Sequence, residues 1–472
     1  MISKYLQRSK LILIDYITAN ISFFLFDVCR YFIIYGQTGA SWGLWSYLLT
    51  TKMILEQLFM PFLLLAVNYF VGVYNKPFII SRIQALTATF ATSFFSTVII
   101  YLALLVNDPM MQRSLHYKLI LAMFLLFFFV TYIGRYIVIT HNFRMIKERR
   151  WTFKTLIVGN SEKAHQVAEK LARSQSIFGY HTIGFIELDD ENNVKDSDKP
   201  VYKLEQVEEV VNNLGVTQII IAPEEHDEHR VLRLVRRLYP LDATLKVAAN
   251  TFNYLSAGIR TQDVYGEPLI ELSSPTISES SKNCKRALDV LFSTACLAVL
   301  SIPMLVIAIM VKRDSKGPVF YSQTRIGYRQ KPFRIYKFRT MRNDAEVDGP
   351  QLSSPNDRRV TPLGRWMRKY RIDELPQFWN VLKGDMSIVG PRPERAFFIE
   401  QIVKKAPYYT LLHQVRPGIT SWGMVRYGYA RDVDEMVERC KYDLLYISNM
   451  TLTVDLKILV YTIKTVVTGR GM

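Results

Sequence analysis

The 472-residue sequence has little cysteine and no spacing that would use it. Cys29, Cys284, Cys296 and Cys440 are scattered. They form neither a disulfide framework nor a metal-ligand pattern, which excludes a disulfide-stapled small fold and points to a reducing compartment for the soluble parts. No Gly-x-Gly-x-x-Gly occurs anywhere, so the phosphate-cradling fingerprint of a dinucleotide-binding turn is missing. A small-residue cleavage site is missing too. The basic MISKYLQRSK runs straight into an apolar stretch that is too long for a signal peptide and carries Asp15 and Asp27, so it reads as a span. Acid is scarce in the last third: from Lys312 onward there are 29 Lys and Arg against 16 Asp and Glu. That surplus faces something anionic, whether nucleic acid, lipid headgroups or a phosphorylated substrate.

What is abundant is apolar length. Hydrophobic residues make up 49% of the chain, and the net charge is +17. This combination fits a membrane protein with charged soluble parts, divided into two or three domains. Residues 1–150 hold four candidate spans, at about 11–36, 54–74, 85–107 and 118–140, each near the roughly 20 residues that a bilayer needs. Lys4, Arg8 and Lys10 precede the first, Lys76 and Arg82 lie between the second and third, and the dense HNFRMIKERRWTFK follows the fourth. By the positive-inside rule both ends of this bundle are cytoplasmic. Asp15, Asp27 and Arg30 fall inside the first span, where pairing or snorkelling must accommodate them.

Residues 151–272 alternate strands and helices: TLIVG, a helix over 162–174, HTIGFIE, helices over 205–214 and 228–239, TQIIIAP and ATLKVAA. The alternation predicts a Rossmann-like α/β domain with a parallel sheet. Its first turn has the single glycine Gly159, which leaves a scaffold or dimerisation role open beside nucleotide binding. His226 and His229 look like a metal cluster but sit in EEHDEH at a helix start, where a solvated charged face explains them.

Residues 285–315 are apolar enough to cross. Lys285 and Arg286 precede the run, and Lys312, Arg313 and Lys316 follow it, so both ends belong on one side. Pro303 near the middle removes a helical hydrogen bond and bends the helix, and Ser301 can satisfy freed backbone groups. A re-entrant membrane helix is expected, with a kinked ordinary span as the alternative.

Residues 316–472 carry the chemistry. FRIYKFRTM reads as a strand whose alternation puts Lys337 and Arg339 on one face, suited to a phosphate or to a solvated edge. Residues 342–360 read as a mobile loop. TPLGRWMRKYR reads as a short basic amphipathic helix, with Trp366 and Tyr370 on one side and Arg365, Arg368 and Lys369 on the other. In RIDELPQFWNVLKGDMSIVGPRPE, Pro376 predicts a helix that starts close to Asp373 and stops at Gly384. Asp373 is then either a helix cap beside a first-turn acid, or one of two neighbouring carboxylates that point about 100° apart and can do different work. Arg392 is held between two prolines, and Arg416 precedes Pro417-Gly418. The last 30 residues are amphipathic and bear tyrosine and lysine, as a helix at a membrane surface would.

From about 285 to 472 the chain resembles the bacterial polyprenyl-phosphate glycosyl-1-phosphate transferases, the monotopic sugar-transferase family. The resemblance rests on GPVFYSQTRIG, YKFRTM, RIDELPQFWNVLKGDMSIVGPRP, VRPGIT and VDLKIL together. The N-terminal spans and middle domain resemble the long-form members that start capsule, exopolysaccharide or O-antigen assembly. Ser421-Trp422 departs from the usual Gly-Trp. The resemblance implies that a UDP-sugar and undecaprenyl phosphate are the substrates and that Asp373 attacks the sugar-proximal phosphate, releasing UMP. It implies Glu374 as a Mg2+ ligand, and Lys337, Arg339, Arg368, Arg392 and Arg416 as phosphate contacts. Asp385 and Asp443 match acidic positions whose roles it leaves open. The place implied is the bacterial inner membrane, with a cytoplasmic catalytic domain, lipid contact and no nucleic acid. A homodimer through the middle domain is compatible. Two other readings stand beside it. A membrane-anchored nucleotide-sugar dehydratase or epimerase would need the missing NAD fingerprint, and a non-enzymatic scaffold would make no use of Asp373.

Overall fold

The computed structural model describes residues 4–35, 43–75, 81–105, 113–173, 179–189, 193–194, 197–223, 228–248, 269–271, 277–342 and 357–468. His226, the His229 side chain and most of the expected 342–360 loop lie outside them. The chain divides into two compact units, one built on Met1–Thr152 with Ser278–Cys284, the other on Phe153–Ile277 and Lys285–Met472 apart from the short 176–179 stretch.

The first unit is helical: α1 (Lys4–Tyr35), the short α2 (Leu44–Leu48), α3 (Thr51–Val71), α4 (Arg82–Ile100) and α5 (Arg113–Lys147). Among the described residues, four helices are long and apolar enough to cross a membrane, within Tyr5–Ile34, Thr51–Val71, Arg82–Ala103 and Ser114–Lys147. Phe23, Phe26, Leu64, Met123 and Phe127 interdigitate in the core, while Phe59, Phe90, Phe95 and Phe129 are exposed, as lipid-facing side chains are. Two of the first span's charges, Asp15 and Arg30, are paired, and Asp27 is buried. Arg135 of α5 grips Asp15 with two nitrogens, at 2.9 and 2.8 Å, and donates to Thr89 Oγ1 of α4. Tyr74 and Asn68 donate to the same carboxylate. Arg30 meets Glu56 of α3 at 3.5 Å. The partners Arg135 and Glu56 are part of the answer that the first span alone does not contain.

In the second unit, β1 (Phe153–Val158), α6 (Glu162–Arg173), β2 (Tyr180–Glu187), β3 (Val201–Lys203), α7 (Val207–Leu214), β4 (Gln218–Ile221), α8 (Glu228–Leu238), β5 (Thr244–Ala248) and β6 (Leu269–Glu271) build a six-stranded sheet. Its order is β3-β2-β1-β4-β5-β6, parallel except for the antiparallel edge strand β6. The expected Rossmann-like order is therefore present. β1 and β4 are near-continuous apolar runs because helices cover both faces.

Next come α9 (Glu279–Val299) and α10 (Ser301–Asp314), which meet at a bend of 62°. Pro303, in the first turn of α10, has no N–H to offer Val299, and Ser301 Oγ donates to Ala298 O at 2.8 Å. The start of α9 is anchored in the unit's interior. Lys285 pairs with Asp455 at 2.6 Å, and Asp289 accepts from Ser387 Oγ and the Ile388 N–H.

The remainder is a small α/β assembly: the hairpin β7 (Phe320–Ile326) and β8 (Pro332–Phe338), α11 (Pro362–Lys369), α12 (Gln377–Lys383), β9 (Ser387–Val389), α13 (Ala396–Lys405), β10 (Gly418–Thr420), α14 (Trp422–Arg426), α15 (Val433–Ser448) and α16 (Leu452–Val467). Ile335, Met386, Ile402, Tyr446 and Ile458 share its core. α11 departs from the expected division of faces. Met367 is its buried side chain and Trp366 is exposed, while Arg368 turns inward to Thr340 Oγ1 at 2.9 Å. α16 exposes Leu456, Val460, Ile463 and Val467. The β7–β8 turn touches the sheet domain, with Arg329 Nη1 2.9 Å from Asp242 Oδ1 and Gln330 Nε2 donating to Arg236 O.

Candidate active site

The helix expected to begin near Asp373 is two pieces. Ile372–Glu374 is a 3-10 turn, and α12 starts only at Gln377, after Pro376. Arg371, just before the 3-10 turn, is left-handed, with φ 54° and ψ 24°, and so separates the turn from α11. Asp373 therefore caps nothing: no side-chain capping bond is made at either start. The cap reading fails, and Asp373 is not committed to a helix start.

α12 is held tightly behind the pair. Asn380, fully buried, donates to Arg334 O at 2.7 Å and accepts the Tyr336 N–H, so it joins the helix to β8 like a neighbouring strand. Arg286 donates to Val381 O and Leu382 O, satisfying carbonyls that end a helix. Gly384 closes α12 in the left-handed conformation, at φ 92°.

Asp373 lines a cavity of about 350 Å³, within the range of small-molecule sites, and Glu374 stands behind its lining. Nine Arg and Lys line it against the two carboxylates Asp373 and Glu394. Lys337, Arg339, Arg368 and Arg392 all line this cavity. Lys337 sits on β8, while Arg339 follows the strand's end. Arg339 donates to Ser315 O at 2.6 Å, tying the cavity wall to the exit of α10.

Arg416, Asp385 and Asp443 do not line the cavity. Arg416 is exposed, and only its backbone is used, packed against Gly390 where a Cβ would overlap its carbonyl. Asp385 is half-buried beside Lys383 and Asn380 at the end of α12. Asp443 is buried beneath the site. It accepts the Gly423 N–H at 2.8 Å and is bonded by Ser421 Oγ and the Arg392 N–H, so it fixes the backbone of the Pro391–Pro393 turn. Burial pushes its carboxyl up to about 6 against those donors. Ser421, where Gly is usual, thus supplies one of these donors and also caps α14 through the Met424 N–H.

The two acids differ electrically. Burial raises the Glu374 carboxyl, but Lys337 at 2.7 Å, Arg371 at 3.3 Å and Arg392 at 3.6 Å outweigh it and hold the group well below the usual range. Asp373 has no ion-pair partner within 4.0 Å among the described residues. Burial raises its carboxyl, with Lys337 opposing and the Glu374 charge adding to the rise. Glu374 is a committed anion, and Asp373 is the acid left facing the cavity.

Sequence reasoning passed over Glu394, Arg325, Arg439, Arg371 and Tyr429. Glu394 accepts from Arg439 at 2.6 Å and Arg325 at 3.1 Å, which neutralises the far wall. Its position directly after the Pro391–Pro393 turn was a signal. The others come from distant stretches, and only folding shows them together. Among the described residues no group of three or more His, Cys, Asp or Glu is placed to hold a metal.

Residues 280–469 match the family model described as bacterial sugar transferase, and residues 69–248 match the CoA-binding domain model. The chain is 46% identical over 187 residues to the UDP-N-acetylgalactosamine-undecaprenyl-phosphate N-acetylgalactosaminephosphotransferase of Aeromonas hydrophila, covering 40% of this chain but only 44% of that protein. It is 31% identical over 323 residues to the UDP-glucose:undecaprenyl-phosphate glucose-1-phosphate transferase of Escherichia coli (strain K12), covering 67% of this chain and 68% of the relative. It is 37% identical over 198 residues to the exopolysaccharide production protein PSS of Rhizobium leguminosarum bv. phaseoli, covering 40% of this chain and 97% of the relative. With 31% identity over two thirds of a relative's length, and with the transferase motifs folded around one cation-lined cavity, the chain belongs to the bacterial sugar transferase family.

Proposed function

We propose that the chain transfers a sugar-1-phosphate from a UDP-sugar to undecaprenyl phosphate and releases UMP, an early membrane step in making a surface polysaccharide. The observation that carries this reading is the asymmetry of the pair: Asp373 faces the cavity without a partner, while Glu374 is held by three cations. An Asp373 oxygen attacks the sugar-proximal phosphorus. A new O–P bond forms, the P–O bond to UMP breaks, and UMP leaves with that electron pair. An oxygen of the lipid phosphate then attacks the same phosphorus and regenerates the Asp373 carboxylate. Lys337, Arg339, Arg368 and Arg392 bind the phosphate oxygens, and the two-nitrogen fork of each guanidinium matches them in shape.

Mg2+ fits this site. It commonly takes one or two carboxylates with substrate phosphates and water, and Glu374, although engaged by Lys337, Arg371 and Arg392, keeps further lone pairs. Glu374 would hold the ion, which would neutralise diphosphate charge. The bent α9–α10 pair dips into one leaflet and returns, which leaves the catalytic assembly on the cytoplasmic side of the inner membrane, where nucleotide-sugar and lipid phosphate meet. Basic flanks at both ends of that pair support this topology.

The test is UMP release by the full chain in nanodiscs, across a panel of UDP-sugars with undecaprenyl phosphate and Mg2+. Asp373→Asn should abolish release and leave the melting temperature unchanged. Wild-type turnover in that variant would overturn the nucleophile. A reporter at the C-terminus that reads as periplasmic would overturn the topology.

A further inference from the structure

We propose that Tyr429 is a positioning residue for this reaction, its ring gathering Arg371 and Arg392 side by side onto Glu374; the inference rests on the reading just given. Tyr429 stands between α14 and α15 and lines the cavity. The guanidinium carbons of Arg371 and Arg392 each lie 5.3 Å from the centre of its ring, within cation–π range. The same two side chains share Glu374, Arg371 through Oε2 and Arg392 through Oε1. They also share the Met424 sulfur, at 3.9 and 3.1 Å.

Two like charges with common neighbours repel. One carboxylate cannot by itself fix the planes of two guanidinium groups, because a point anion sets distance more than orientation. An aromatic face attracts both and sets both. The backbones converge on that face from opposite constraints. Arg392 is fixed between Pro391 and Pro393, and Arg371 is held in a left-handed conformation that a non-glycine residue keeps only when its surroundings over-determine it. With the pair assembled, both guanidinium groups stay on Glu374, and Arg392 stays at the cavity wall with Asp373. The ring does this, so the hydroxyl is dispensable.

The experiment compares Tyr429→Leu, Tyr429→Phe, Arg371→Gln and Tyr429→Leu/Arg371→Gln in the full chain. Two readouts are taken: steady-state UMP release, and calorimetric binding of inorganic pyrophosphate, which needs no turnover. Tyr429→Leu is expected to raise KM for the UDP-sugar and to weaken pyrophosphate about tenfold, a plausible loss for two desolvated cation–π contacts, with an unchanged melting temperature. Tyr429→Phe, which keeps the ring, should recover both to within about twofold of the parent on the same reasoning. Because Tyr429 acts through Arg371, the double variant should lose less than the two single losses combined. The proposal is overturned if Phe is as impaired as Leu, if Leu matches the parent, or if the losses add. Should the parent bind pyrophosphate yet release no UMP, the reaction reading fails, and Tyr429 is judged on the pyrophosphate series alone.

Discussion

Lys337 Nζ stands 2.7 Å from Glu374 Oε1 and holds that carboxylate as an anion. The adjacent Asp373 has no such partner, so two neighbouring carboxylates enter the reaction in different states. Glu374→Gln leaves Lys337, Arg371 and Arg392 without their shared anion. It should lower kcat/KM on the order of 100-fold, the scale seen when one preorganised electrostatic contact is removed. UMP release checks it, and a loss below about threefold on that scale would remove Glu374 from the machinery.

The pH dependence follows from the same pair. In the proposed reaction Asp373 must be ionised to attack, and burial holds its carboxyl above the usual range while Lys337 pulls it down. Activity should therefore fall on acidification along a limb that lies above that of a free aspartate. Lys337→Met removes the opposing cation and should move this limb to higher pH. Glu374→Gln removes a neighbouring negative charge and should move it to lower pH. Profiles of log kcat/KM for the three proteins separate these directions, and limbs moving together would contradict the assignment.

Asp289 fastens the α9–α10 pair to the catalytic assembly by accepting from Ser387 Oγ and the Ile388 N–H, all of them buried or nearly so. Asp289→Ala strands a buried amide and should cost about 1–3 kcal/mol of stability. Chemical denaturation in detergent reads this, and an unchanged midpoint would mean that other contacts carry the anchor.

In the helical bundle, Asp15 and Arg135 are both almost fully buried. Arg135→Leu leaves Asp15 without its cation and should cost about 3–5 kcal/mol, whereas Arg135→Leu/Asp15→Leu should recover a large part of it. Protease resistance across a temperature series distinguishes the two. Equal loss in the double variant would show that the network's remaining donors, Tyr74 and Asn68, depend on the carboxylate more than the carboxylate depends on Arg135.

Long apolar stretches, the βα alternation and the single-residue spacing of Lys337 and Arg339 were legible because each is a local pattern. The bend at Ser301–Pro303 was legible for the same reason, since proline acts on its own backbone. Arg368 was harder. Its helix reads as a basic face for lipid, but tertiary packing puts Met367 inward and turns Arg368 toward Thr340. Arg416 misled because a basic residue before Pro-Gly repeats the Arg392 device in sequence, while in the fold its side chain faces outward and its carbonyl packs on Gly390. Glu56 and Arg135 show the general limit. A buried charge announces that it has a partner, but which helix supplies that partner is set by packing.

The left-handed backbone at Arg371 sets the residue the local geometry favours against the residue the site uses. Glycine or asparagine would sit there with less strain, which costs about 1 kcal/mol for an ordinary side chain. Either would take a cation away from Glu374. A library at this position selected only for heat resistance, with no regard to turnover, should accordingly enrich Gly and Asn and return weaker catalysts, so that position 371 records which of the two pressures a population has been under.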